Sequence, residues 1–252
     1  MNRISPLRKA GQRASAVAMP AVELERLAKV GKAKSKVVAR KRMAANGART
    51  SLRVLHVGCG RNSPAALHSV FKDGEWEEIR LDIDGALRPD IIASAADLRG
   101  RVEDESCDAI WSSHTLEHLG RHEVHQALSE FHRVLTPTGF ALIRCPDAEV
   151  VAEMIVGGRI DDAVYTSAAG PITPLDMLYG HGASVARGNQ FMRHGTAFTE
   201  NLLARDLLAA GFAEVRTTRP GNYEIWAAAF MPEADAEPIL RAVAKSGIDL
   251  RT

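Results

Sequence analysis

The densest chemistry in this 252-residue chain lies at His114, Glu117 and His118. Their i, i+3, i+4 spacing puts all three on one side of a helical turn. Two more histidines, His181 and His194, follow in a stretch broken by glycine and proline. A neutral imidazole near pH 7 can take the proton of a hydroxyl, so His114 and His118 are read as catalytic bases. The same donor types, His114, Glu117, His118 and His194, could instead hold a divalent cation that orients and acidifies a hydroxyl. The general-base reading is preferred, and a divalent metal is kept as the less favoured alternative.

A second constellation lies upstream. Gly58-Cys59-Gly60 closes a short apolar run. Glycines there let the backbone approach a ligand, and a helix starting next would offer free N–H groups. Asp82 follows about twenty residues later at the end of another β-prone run, where an acid can accept from ribose hydroxyls. Asp97 follows a third such run and could take an amino group or serve as a cap. Ser63 stands where a nicotinamide-binding Gly-x-Gly-x-x-Gly turn would place its last glycine, which counts against a dehydrogenase.

These residues need a frame to hold them. Strands are expected at 52–57, 78–82, 90–93, 109–111 and 140–145. Helices are expected at 64–71, with Ser63 as N-cap and Pro64 first, and at 122–135, where Val124, Leu128, Phe131 and Leu135 repeat at helical spacing. That rhythm implies a mostly parallel sheet with helices on both faces, ligands binding beyond the strands' carboxyl ends. Residues 146–198 break the rhythm and are expected to be an irregular, functional insertion. A helix at 200–210 and two strands at 213–218 and 223–230, joined by Arg219-Pro220-Gly221-Asn222, should close the sheet as an antiparallel hairpin.

At the motif level the chain resembles the class I S-adenosylmethionine-dependent methyltransferases. Val54 to Gly60 is similar to their glycine motif, Asp82 to their second-strand acid, and Asp97-Leu98 to the position after strand three. The run 108–119 resembles the segment after strand four, and 131–140 the segment leading into strand five. The resemblance implies a Rossmann-like α/β fold, a seven-stranded, mostly parallel sheet with an antiparallel last strand. It implies S-adenosylmethionine held by His56, Gly58, Gly60, Asp82, Asp97, Leu98 and Ser113. His56 stands where the family has an acid, and Asn62 where it has a third glycine. An Asn/Asp-Pro-Pro-Tyr/Phe motif after strand four is absent, which favours oxygen over amino methylation. The chain also resembles bacterial methyltransferases of surface glycans. That likeness points to a small-molecule or glycan acceptor against the insertion, at Tyr179, His181, Arg193 and His194.

Charge is unevenly spread. Residues 1–50 hold 13 Lys/Arg against Glu23 and Glu25, a balance of +11, while the other 202 residues carry −10. The basic arm is expected to be a partly helical or disordered extension, with nucleic acid as its possible partner, ahead of a methyltransferase domain at 51–252. No apolar run is long enough for a membrane span. Cys59, Cys107 and Cys145 form no Cys-x-x-Cys pair, which points to a reducing, cytoplasmic setting.

Overall fold

A computed structural model describes residues 51–251 apart from Pro64 and Ala168. The chain divides into two units, Met1–Thr50 and Ser51–Thr252. The basic arm and its expected nucleic-acid contact therefore lie outside the described residues.

The second unit is built on one sheet of seven strands. They are β1 (Leu52–Val57), β2 (Trp76–Asp82), β3 (Ile91–Ile92), β4 (Cys107–Ser113), β5 (Leu135–Pro146), β8 (Glu214–Thr218) and β9 (Glu224–Phe230), in the order β3-β2-β1-β4-β5-β9-β8. The first five pair in parallel; β9 runs antiparallel to both β5 and β8. This is the expected Rossmann-like arrangement. Order reverses between β1 and β4, so the loops after these two strands open a crevice at the carboxyl edge.

Alternate residues of each central strand feed opposite cores, as the pleat requires. Leu55, Ile110 and Ile143 face one side, packed by α1 (Arg121–Val134) through Val124, Leu128 and Phe131 and by α5 (Glu200–Ala209) through Leu203 and Leu207. Val54, Trp111 and Leu142 face the other, covered by α6 (Ala236–Ala244) through Leu240 and Val243. That last helix was not foreseen; Leu240 and Val243 are buried, and Ala236 and Ile239 pack beside them. The two faces carry different helices, and α1 is joined to α5 by a bidentate pair of Arg121 with Asp206 (2.8 Å for Nη2 to Oδ1).

Two expectations are corrected. The helix expected at 64–71 is reduced to a 3-10 turn at Ser69–Phe71. A helix would have bonded Val70 N–H to the Ala66 carbonyl. Instead Val70 N–H donates to His68 Nδ1 (3.2 Å), and Ala66 accepts from the Trp111 indole (2.9 Å). The insertion, in turn, is folded rather than irregular. It holds α2 (Ala148–Val156), a hairpin of β6 (Tyr165–Ser167) and β7 (Gly170–Ile172), then α3 (Pro174–Tyr179) and α4 (Gly182–Ala186). Val151, Met154, Ile172 and Met177 give it a small core of its own. Its elements are too short for a periodic pattern to show in the sequence.

His68 sits among Phe71, Trp111 and Trp226. Burial, then the charges of Arg144 and Lys72, pull it from 6.5 down to about 4. The unfolded chain therefore binds the extra proton first, and this group's contribution to stability is lost as pH falls from about 6.5 toward 4. Urea midpoints taken across that range should fall less steeply for His68→Asn, which keeps an acceptor for Val70, than for the native chain; equal slopes would contradict this environment for His68.

Candidate active site

The turn after β1 is fixed by β2. Gly58 and Gly60 have φ of 65° and 60°, left-handed values that favour glycine. At Gly58 a Cβ would also overlap the Thr115 side chain, whose hydroxyl donates to the Val57 carbonyl (3.1 Å). Cys59 N–H donates to Leu81 O (3.0 Å), Gly60 N–H to Asp82 Oδ2 (2.9 Å), and Arg80 donates to Gly60 O (2.8 Å). Asp82 Oδ1 accepts from Asp84 N–H (3.0 Å). Each carboxylate oxygen keeps lone-pair capacity for another donor.

This turn forms one wall of a cavity of about 620 Å³. Ile83, Leu87 and Phe191 give it apolar surface, Asp82 and Ser94 polar atoms, and Asn189 to Gly195 close it from the insertion. The mixture suits a nucleoside: flat apolar contact for a base, acceptors for ribose.

Several expected cofactor contacts are elsewhere. Asp97 is exposed in a separate depression beside Arg99 and His125, because the chain turns back through Asp97 N–H to Ser94 O (3.0 Å), leaving Ser94 and Ala95 on the cavity. Leu98 is fully buried in the core, its N–H donating to Glu130 (3.1 Å). The Ser113 hydroxyl accepts from Arg144 Nε (2.7 Å) and does not line the cavity. His56 is buried on the Val54 side of β1, 2.6 Å from Glu78; burial holds its pKa low against the pull of that acid.

The histidines converge beside the cavity. Glu117 and His118 lie in a 3-10 turn (Leu116–His118), not an α-helix. His114, at φ 51°, ends β4 with Nδ1 3.2 Å from Glu117 and Nε2 2.9 Å from Glu224 of β9. Burial opposes its charge, but the two carboxylates outweigh it and raise its pKa to about 9. His114 is thus an imidazolium at neutral pH with both nitrogens donating. The expectation that it acts as a general base is corrected.

His118 and His194 are arranged differently. His118 Nδ1 donates to the Arg193 carbonyl (3.0 Å), and His194 Nδ1 to the Met177 carbonyl (3.0 Å). A carbonyl only accepts, so Nδ1 carries the hydrogen in each ring and Nε2 is the nitrogen left for chemistry. Burial lowers the His194 pKa, which keeps it neutral. The ring centroids are 4.8 Å apart. A strap brings His194 here from 76 positions downstream: Gly195 N–H donates to Glu117 O (2.8 Å), and a Cβ at Gly195 would press on the Leu119 carbonyl.

Beyond the histidines lies a second cavity, of about 570 Å³. Tyr165 and Tyr223 stack at its edge, 5.9 Å apart and 12° from parallel, with Asn222, Asp176 and buried His181 nearby. His114, His118, Met192 and His194 line both cavities. Of the expected acceptor contacts, His181 and His194 are here. Tyr179 is 67% exposed and lines neither cavity, and Arg193 lines the first. Glu224, Tyr165 and Tyr223 were missed; they come from a strand end and a hairpin that carry no motif.

Residues 55–143, the stretch from β1 to β5 that supplies the glycine turn and Asp82 to the first cavity, match the family model of a methyltransferase domain. The chain holds a class I S-adenosylmethionine-dependent methyltransferase domain. No curated protein sequence matches this methyltransferase. Solved structures similar to it include a Pyrococcus horikoshii OT3 protein, 15% identical over 79% of this chain and 91% of the other, with a TM-score of 0.47. An Archaeoglobus fulgidus S-adenosylmethionine-dependent methyltransferase is 14% identical over 78% and 93%, with a TM-score of 0.46. The 1,6-didemethyltoxoflavin-N1-methyltransferase of Burkholderia thailandensis is 16% identical over 88% and 94%, with a TM-score of 0.45. Among the described residues of this methyltransferase, no helix is long and apolar enough to cross a membrane.

The two glycines of the turn separate backbone strain from crowding. A Cβ at Gly60 would have nothing within 4 Å, whereas one at Gly58 would meet Thr115. Gly60→Ala should cost roughly 1–2 kcal/mol for the left-handed conformation alone, and Gly58→Ala clearly more, in equilibrium denaturation.

Proposed function

We propose that this methyltransferase moves the methyl group of S-adenosylmethionine, bound in the first cavity, to a hydroxyl oxygen of a small-molecule or glycan acceptor in the second. The observation that carries this is the shared wall: two cavities of ligand size meet at His118 and His194, whose Nε2 atoms are their uncommitted nitrogens. Asp82 would accept from the ribose hydroxyls, with Ile83, Leu87 and Phe191 flanking the base.

The reaction is a single displacement. An acceptor oxygen attacks the methyl carbon, the carbon–sulfur bond breaks, and its electron pair stays on sulfur, turning the sulfonium into a neutral thioether. The hydroxyl proton leaves to a base at the wall. Because the sulfonium already activates the methyl, the protein's main task is alignment of oxygen, carbon and sulfur. His114, fixed as a cation between Glu117 and Glu224, holds the wall in place and takes no proton. The Tyr165–Tyr223 pair and the polar edge at Asn222 and His181 suit a ring carrying several hydroxyls, such as a sugar.

Two measurements test this reading. Calorimetry with S-adenosylhomocysteine should show Asp82→Ala weakened about 10- to 100-fold, the loss of charged hydrogen bonds, with Asp97→Ala unchanged; the reverse pattern would move the cofactor away from this cavity. Label from methyl-labelled S-adenosylmethionine should appear on polyhydroxylated acceptors as alkali-stable ethers, and His194→Ala should lower kcat about 10²- to 10⁴-fold. Label found only on amines or carbon would overturn the choice of oxygen.

A further inference from the structure

We propose that Glu117, His118 and His194 form a binding site for a divalent transition-metal cation in the wall between the two cavities. One ligand atom from each lies within 4.8 Å of the other two. Around a tetrahedral ion with bonds near 2.1 Å, donors stand about 3.4 Å apart, so side-chain adjustments would close the set.

Two independent features point to a ligand. Glu117 is 2% exposed, and its Oε2 has no hydrogen-bond partner, while Oε1 is held by His114. A bare carboxylate oxygen in the interior is costly and calls for a donor or a cation. The second feature is the outer bonding of the imidazoles. Both use Nδ1–H on a backbone carbonyl, Arg193 for one and Met177 for the other. That fixes ring orientation and tautomer as metal-bound histidines usually require, leaving Nε2 as the ligand atom. Two imidazoles and one carboxylate are a donor set for zinc or ferrous iron more than for magnesium or calcium, which take mostly oxygen.

The set supplies three ligands, so a bound cation keeps open positions. His118 and His194 line the acceptor cavity, and an acceptor hydroxyl could fill one of them; this role, unlike the site itself, rests on the reading of the second cavity given above. A cation there would orient the hydroxyl and lower its pKa. The two imidazoles would then be ligands, with the proton leaving to solvent or to a cation-bound water.

The site is tested on the full-length protein, stripped with chelator, with metal alone and neither S-adenosylmethionine nor acceptor present. Calorimetry with zinc should show one equivalent bound. Cobalt should give the visible absorption bands of a four- or five-coordinate ion. His118→Ala, His194→Ala and the near-isosteric Glu117→Gln should each weaken zinc by more than about 100-fold, beyond the roughly 10- to 100-fold that loss of an outer hydrogen bond costs, while His125→Ala binds as the native chain does. Absence of zinc binding by a protein with native circular dichroism, or binding unchanged in all three variants, would overturn the site. Because the readout is metal binding alone, that result would leave methyl transfer and its acceptor standing.

Discussion

The site is organised by one buried charge, the carboxylate of Glu117. Beneath the crevice it needs answering charge, and His114 supplies it from the end of β4. His114 in turn requires Glu224 at the start of β9, and Glu224 is held by Arg144 of β5 (3.5 Å) and by the Trp226 indole (3.1 Å). Arg144 lies against the rings of Trp111 and Trp226. The carboxyl ends of β4 and β5 and the amino end of β9, a strand from far down the chain, are thereby tied together by charge. In a low-dielectric setting such a network is strong when complete and costly when broken.

The insertion completes what the sheet begins. A Rossmann-like sheet alone provides the glycine turn and the acid after β2. The second cavity exists because the folded insertion stands over the opposite side of the histidines, with its own small core of Val151, Met154, Ile172 and Met177. Its tether is peptide bonding: Gly195 and Thr196 N–H groups both donate to the Glu117 carbonyl. The residue that supplies the buried charge therefore also anchors the strap that carries His194.

Much of this frame was legible in the sequence. Buried parallel strands read as apolar runs, and the helical spacing of Val124, Leu128 and Phe131 showed α1 directly. Gly58, Gly60 and Asp82 were legible because their spacing reflects a geometric demand on the backbone. The failures have physical causes. The helix after β1 was lost to two side chains, His68 and Trp111, that took its hydrogen bonds from 2 and 45 positions away. Asp97 matched a motif position, but the turn closed by its N–H on the Ser94 carbonyl leaves it exposed, away from the cavity. His114 carried the right residue type for a base, and only its two carboxylate neighbours, one from 110 residues downstream, reveal that it is charged. Glu224 and the tyrosine pair sit on elements whose sequence neighbours give no hint of the cavity they face.

The shared wall has a kinetic corollary. Residues 189–195 line the first cavity, proposed for the nucleoside, and His194 within them also lines the second, proposed for the acceptor. Any excursion of this segment wide enough to exchange the spent nucleoside also dismantles the surface against which the acceptor is aligned. If the two cavities hold donor and acceptor as proposed, turnover and exchange would be alternating states of one segment rather than simultaneous ones. A half-open enzyme would hold its donor loosely and have no formed place to spend the methyl group on water.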